Sequence, residues 1–322
     1  MARILITGGA GFIGSNLADY FVHRGYDISV LDDFSSGKEE NLNYCQRLDD
    51  RKSTRIIRGD ICDPKKVEEA LLDCDYVFHL AALRSVPKSF ETPQEYEQIN
   101  VLGTLKLLEA SRVHKIKKFI FASSSSVYGN SRHIPAHEDQ QLDPISPYAV
   151  SKLNGEHYCR MYFLSHGLPT VSLRYFNVFG PRQSLENKYA VVIPKFIQCL
   201  YDNKPPPIYG DGGQTRDFTY VENLAFAHEQ ILKSSTIGGV VFNAACGNRC
   251  SVLKLCEKLN RLMRKDIKPS FFDKRPGDVL HTQSDISKIT RLTDYRPQIA
   301  LDQGLEKTAK WFLSHPHYLK TS

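Results

Sequence analysis

Residues 3–14, RILITGGAGFIG, constrain the fold more than any other stretch, because a short apolar strand runs directly into a glycine turn and a helix start. Arg3 to Thr7 read as a buried strand. Gly8, Gly9, Gly11 and Gly14 then supply overlapping G-x-x-G-x-x-G and G-x-G-x-x-G spacings. Glycines let the backbone turn tightly and approach a pyrophosphate, whose charge the N-terminus of the following helix, Phe12 to about His23, stabilises. A second strand, Asp27 to Leu31, leads into Asp32, about 20 residues past the glycines, where a carboxylate accepts hydrogen bonds from an adenosine ribose. The same charge repels a 2′-phosphate, so the pattern predicts NAD rather than NADP. The bland alternative for Asp32 is a solvated acid at a strand end.

The βα rhythm continues to about residue 175. Further strands are expected at 54–58, 76–80, 118–122 and 170–174, with helices over Val67–Leu72, Glu95–Val113 and Tyr148–Ser165 between them. Short β-rich runs alternating with amphipathic helices predict an α/β fold with a doubly wound parallel sheet. Ligands bind such sheets at the carboxyl ends of the strands, where Gly8, Asp32, Asp60, Ala82, Ser124 and Asn177 all fall. Past residue 180 the rhythm breaks at Pro205-Pro206-Pro207 and Gly210-Asp211-Gly212-Gly213. The expected division is a dinucleotide-binding domain over 1–177 and a smaller mixed α/β substrate domain over 178–322, some of whose elements pack back on the first.

Composition narrows the partners. The chain has 322 residues, 41% hydrophobic, enough for a sizeable core, and a net charge of +6. No concentrated basic stripe exists, which disfavours nucleic acid and suits a small anionic substrate. The run Lys115-Ile116-Lys117-Lys118 reads as a helix-end cap. No long apolar window predicts a membrane span, and the opening strand leaves no room for a signal peptide. The eight cysteines are scattered, and Cys246-x3-Cys250-x5-Cys256 lacks a paired zinc knuckle, so no metal is expected. Cytoplasmic localisation follows as the simplest expectation.

Tyr148 and Lys152 form Y-x-x-x-K in a helix-forming run introduced by Ser146-Pro147. One helical turn puts both side chains on one face, where an ammonium favours the phenolate and draws its pKa down from about 10. A tyrosine so tuned takes a proton from a sugar hydroxyl while hydride leaves the same carbon. Isolated pairs of this spacing are usually surface accidents; the upstream dinucleotide motif reverses that balance. Ser123-Ser124-Ser125-Ser126 stands at a strand's carboxyl end, either as a polar turn or with a hydroxyl sharing the proton in flight.

These segments, together with HLAA (79–82), SSSSVYG (123–129), SPYAVSK (146–152), LRYFNVFGPRQ (173–183) and GDG…RDF (210–218), resemble the extended short-chain dehydrogenase/reductases, and within them the UDP-sugar 4-epimerases. ALRSVPKSF (82–90) and YAVVIPKF (189–196) are similar to the branch acting on UDP-N-acetylglucosamine and UDP-N-acetylgalactosamine. The resemblance implies that Tyr148 is the base, that Lys152 binds the nicotinamide ribose, and that Ser124, with Ser125, hydrogen-bonds O4. It implies hydride transfer from C4 to retained NAD, a 4-keto intermediate that swings about its pyrophosphate, and return of hydride to the other face. NAD contacts are implied for Gly8, Gly11, Phe12, Ile13, Asp32, Asp60, Ile61, Ala81, Ala82, Tyr148, Lys152 and Tyr175. UDP-sugar contacts are implied for Ser85, Asn177, Val191, Val192, Arg216, Arg275 and Asp278. The two arginines suit phosphate on their own chemistry, with a structural ion pair near Asp217 as the alternative for Arg216. The resemblance also implies a homodimer.

Two positions depart from that pattern. Arg84 stands where a small or neutral residue is more usual, placing a cation for a sugar carboxylate, a diphosphate or an acid of the protein. Thr282 falls where a bulky residue would exclude a C2 N-acetyl group, and a threonine leaves room for one, an N-acetylhexosamine being favoured with UDP-glucose/UDP-galactose as further substrates of the same site. A UDP-glucuronate-type 4-epimerase is therefore the rival substrate reading, with Arg84 its support. Dehydratases and decarboxylases of the resemblance carry carboxylates where this chain has Ser125-Ser126. A non-enzymatic NAD sensor is the remaining class, disfavoured because Ser124, Tyr148 and Lys152 are all present.

Overall fold

Side chains of the first strand alternate between two separate cores, and the whole architecture follows from that alternation. Ile4 and Ile6 lie in one apolar cluster and Leu5 in another, all fully buried. A strand covered on both faces is what a parallel sheet between helices requires. The computed structural model describes residues 1–43, 54–130, 133–185, 191–234, 236–274 and 280–319.

Seven strands form this sheet: β1 (Arg3–Thr7), β2 (Asp27–Asp32), β3 (Thr54–Arg58), β4 (Tyr76–His79), β5 (Lys118–Ser124), β6 (Thr170–Tyr175) and β7 (Val240–Ala244). All neighbours pair in parallel, in the spatial order β7-β6-β5-β4-β1-β2-β3. The strand order reverses between β1 and β4, so the loops after Thr7 and His79 diverge and leave a crevice at their carboxyl ends. The sheet is the expected doubly wound α/β fold.

Helices α1 (Phe12–Val22) and α6 (Val221–Lys233) cover one face through Leu17, Phe21, Leu224, Ala227 and Ile231. Helices α2 (Pro64–Leu71), α3 (Thr104–Val113) and α4 (Pro147–His166) cover the other through Val67, Leu71, Leu107, Leu108, Cys159 and Tyr162. A third core joins α5 (Val192–Tyr201), α7 (Val252–Leu262) and α8 (Leu301–Ser314) around Phe196, Ile197, Leu255, Leu305 and Phe312. Residues from beyond position 220 thus complete the first sheet, since α6 packs on α1 and β7 extends β6.

Local chemistry fixes the ends of α4. Ser146 accepts a hydrogen bond from the Ala149 N–H, Pro147 occupies the first turn, and Gly167 closes the helix at φ +68°. The helix expected from Glu95 differs: it begins at Pro93 and widens into a π-helical stretch over Glu97–Gly103 before α3. The lysine run is also not a simple cap of the preceding helix. Lys118 is buried in β5, and its ammonium donates to the carbonyls of Ile231 and Ser234 at the end of α6, far along the chain. Lys117 instead pairs with Asp75 at 2.7 Å.

Candidate active site

The glycine turn is built for close backbone approach. Gly8 has φ +68°, and a Cβ there would lie 2.8 Å from the Ala81 nitrogen. A Cβ on Gly14 would lie 2.3 Å from the Gly8 carbonyl oxygen, so α1 begins directly against the turn. Gly11 is the N-cap and offers no side-chain cap to the first N–H groups of α1, which suits an anion at that helix end. Phe12 and Ile13 open the helix.

Asp32 is only 6% exposed, not a solvated strand-end acid. Its carboxylate accepts from the backbone N–H groups of Ala10 and Phe34, both at 2.8 Å. Burial raises its pKa, and those two donors oppose the rise. Asp60 is exposed and accepts from the Cys62 N–H, Ile61 is buried, and Ala81 and Ala82 follow β4 beside Gly8. Tyr175, at the end of β6, donates its hydroxyl to His228 Nε2 at 3.1 Å, because His228 Nδ1 serves the Leu224 carbonyl. These groups stand at or just past the carboxyl ends of the parallel strands and fit a dinucleotide: a tight glycine turn, an uncapped helix start and a carboxylate at the end of the second strand.

Ser124 ends β5 and Tyr148 stands in the first turn of α4, near enough for Ser124 to favour the ionised phenol. Burial pushes the Tyr148 phenol above its ordinary value, while Ser124 and the Arg84 guanidinium pull it down. The expectation that Lys152 draws the phenol down is not met. Its ammonium donates to the Ala122 carbonyl at 2.9 Å, and burial lowers its own pKa to about 8. Ser125 starts a short 3-10 turn, and Ser126 donates to the Ser124 hydroxyl at 2.9 Å. Arg84 is exposed, and Ser85 caps the helix Val86–Glu91, leaving its carbonyl to the Tyr96 hydroxyl at 2.6 Å.

A second group assembles from distant loops. Asn177, at φ +34°, donates to the Asp217 carbonyl at 3.1 Å and to Thr282 Oγ1 at 3.2 Å. Thr282 also bonds back to the Thr215 carbonyl, and Arg216 Nη1 donates to the carbonyls of Thr215 and Leu280. The structure therefore brings Asn177, Arg216 and Thr282 together. Val191 and Val192 stand at the N-terminus of α5, and Val192 packs on the same cluster as Phe12 and Ile13. Arg275 and Asp278 lie outside the described residues.

Residues 5–308 match the GDP-mannose 4,6-dehydratase family. The chain belongs to this family of extended short-chain dehydrogenase/reductases. Family members similar to it include the UDP-N-acetylglucosamine 4-epimerase of Methanobrevibacter ruminantium M1, solved with UDP-N-acetylmuramic acid. That structure superposes with a TM-score of 0.92 at 41% identity, covering 98% of this chain and 99% of that one. The UDP-glucuronic acid 4-epimerase of Bacillus cereus, solved with UDP-glucuronic acid and NAD, gives 0.88 at 35% identity over 97% and 99%. The UDP-glucose 4-epimerase of Mycolicibacterium smegmatis is 34% identical over 96% of this chain and 98% of its own length. The family is NAD-dependent.

Within this family member, two supports were not legible as site features. One is a buried polar relay. Thr7 accepts from the Leu80 and Ala81 N–H groups and meets His79 Nδ1 at 2.7 Å; His79 Nε2 meets Thr104, which donates to the Asn100 carbonyl. Burial drops the His79 pKa to about 3, so the ring is neutral. The Asn100 amide then holds both backbone groups of Leu83 and the Ser151 hydroxyl, which donates to the Tyr148 carbonyl. The other is Asp217, fully buried, whose carboxylate accepts from the Cys246, Gly247 and Ser284 N–H groups and the Ser284 hydroxyl. Burial still lifts its pKa to about 6. It gathers loops and is not an ion-pair partner waiting for Arg216. The only sequence signal for Asp217 was its place in the RDF run, and none marked Asn100.

Proposed function

We propose that this chain is an NAD-dependent UDP-sugar 4-epimerase that interconverts UDP-N-acetylglucosamine and UDP-N-acetylgalactosamine. The observation that carries the reading is the placement of Ser124 at the end of β5, on the sheet edge that also holds the glycine turn, beside Tyr148 in the first turn of α4, with Lys152 one helical turn further on. NAD, when bound, supplies a hydride acceptor and donor at its nicotinamide, and Gly8, Gly11, Phe12, Asp32 and Ala81 would hold it. Tyr148 takes the O4 proton and later returns it, passing through or alongside the Ser124 hydroxyl. Ser124 and Ser125 orient O4. The phenol is burdened by burial, and Ser124 and the Arg84 guanidinium, which offset this, help set the pH at which it works as a base.

Arg216 binds the diphosphate, Asn177 and the start of α5 at Val191 and Val192 hold the uridine side, and Thr282 leaves space for the C2 N-acetyl group. The sugar turns about its diphosphate link as the 4-ketone and presents its other face, while Tyr148 returns the proton to O4. The absence of a carboxylate at Ser125-Ser126 disfavours elimination at C5 and C6. The UDP-glucuronate reading has one specific support: Arg84 is exposed and acts electrostatically on Tyr148, and the Bacillus cereus relative binds UDP-glucuronic acid. Comparing kcat/KM for the two substrates in wild type and Thr282→Tyr decides between them. The N-acetyl reading expects selective loss of UDP-N-acetylglucosamine turnover in the variant; turnover of UDP-glucuronate alone by the wild type overturns it.

The homodimer belongs to the same reading. Leu102, Val150, Met161 and Leu164 are exposed apolar residues of the helices over Glu97–Gly103 and α4, and Phe90, Leu102, Ile145 and Val150 line a 720 Å³ groove beside them. Apolar surface of this kind suits burial against a second copy, and sedimentation would report the mass of a dimer.

A further inference from the structure

The last described turn of the chain, Pro316–Leu319, sits on the segment that braces the glycine turn. The Ala10 carbonyl accepts two hydrogen bonds, from the Lys38 N–H at 3.1 Å and from Asn41 Nδ2 at 2.7 Å. Since a carbonyl only accepts, the Asn41 amide must present its nitrogen to Ala10 and its oxygen elsewhere. Tyr318 meets that oxygen: its hydroxyl donates to Asn41 Oδ1 at 2.7 Å, between residues 277 positions apart. Lys38 lies over the Tyr318 ring at 5.4 Å, and His317 reaches Glu40 at 3.5 Å, so one turn touches residues 38, 40 and 41 at three points.

That turn is itself anchored in the third core. Tyr318 is 6% exposed and packs edge-on against Trp311 of α8 at 4.7 Å, and the Leu319 carbonyl accepts from Gln198 of α5 at 2.7 Å. Asn41 is held a third time, by Arg182 Nη1 on its carbonyl, while Arg182 pairs with Asp19 of α1. The Ala10 N–H closes the circuit on Asp32.

We propose that the C-terminal turn is a clasp on the dinucleotide site, with Tyr318 a positioning residue that fixes the Asn41 amide and thereby keeps NAD resident. The geometry joins α5 to the glycine turn, which would hold the pyrophosphate of NAD. Removing the Tyr318 hydroxyl takes the donor from Asn41 Oδ1 and loosens the amide whose nitrogen braces the Ala10 carbonyl. The inference uses the NAD site alone and is independent of which sugar is the substrate.

The test is NAD affinity and release. Wild type, Tyr318→Phe and Asn41→Ala are titrated with NAD by calorimetry, and release of bound NAD is followed after dilution. Tyr318→Phe retains the ring and its packing, so folding persists; a circular dichroism melt confirms it. The expected result is a roughly tenfold weaker and faster-releasing NAD site in Tyr318→Phe, at least as weak in Asn41→Ala, with kcat restored at saturating NAD. Unchanged affinity and release in Tyr318→Phe overturn the clasp. So does a kcat that stays low at saturating NAD, which would place the effect in general folding.

Discussion

The crevice around the glycine turn and the cluster around Asp217 do comparable jobs by opposite means. In the first, function-bearing groups sit at the ends of regular strands: Gly8 after β1, Asp32 at the end of β2, Ala81 after β4, Ser124 at the end of β5. The sheet itself places them, because parallel pairing in register brings every carboxyl end to one edge. In the second, Asn177, Arg216 and Thr282 come from segments with little regular structure, and a buried carboxylate collects the loops that carry them. A site built on strand ends tolerates change in its loops. A site collected by one carboxylate depends on that carboxylate.

Four experiments break or sharpen the contrast. Tyr148→Phe removes the proton acceptor from the strand-end site and should lower kcat by roughly a thousandfold with NAD still bound, read by NMR turnover and calorimetry. Undiminished kcat would remove Tyr148 from its assigned role. Lys152→Met probes the same site through pH. The buried ammonium has a pKa near 8 against an ordinary 10.5, so it costs stability while protonated in the fold. Wild-type stability relative to the variant should therefore rise as pH climbs from about 8 towards 10.5, by up to roughly 3 kcal/mol. A difference flat across that window would mean the ammonium is solvated.

Gly14→Ala forces a Cβ to 2.3 Å from the Gly8 oxygen. Strain of this kind is worth about 1–3 kcal/mol, so NAD affinity should fall by up to about a hundredfold while the melting curve of the remaining structure stays cooperative. Asp217→Asn is the mildest: the amide keeps one oxygen but sets donors against some of the four it now meets. The KM for the UDP-sugar should rise about tenfold with NAD affinity unchanged. Equal loss of NAD affinity would show that the two regions are not separable.

The same contrast explains what was legible. Strand and helix periodicity locates β1 to β6 within a residue or two, because the strands other than the edge strand β3 are buried on both faces and the helices carry a buried stripe. The Tyr148–Lys152 spacing and the serine run were readable as local patterns. The spacing along the helix does not reveal that the Ala122 carbonyl accepts from the Lys152 ammonium or that burial dominates the Tyr148 phenol. His79 shows only as part of the HLAA run and Asn100 carries no signal, because a buried polar residue is written in sequence like any other. Its function exists only in partners 17 to 51 positions away, Leu83 and Ser151 in the case of Asn100. Tyr318 is the extreme instance, meeting Asn41 across 277 positions.

The most direct test of the central claim is to incubate the purified protein with UDP-N-acetylglucosamine, add no NAD, and follow the anomeric protons by NMR. The account predicts new UDP-N-acetylgalactosamine signals that grow to a constant ratio, which requires a resident cofactor and a C4-directed base. An unchanged spectrum that stays unchanged when NAD is supplied would contradict it.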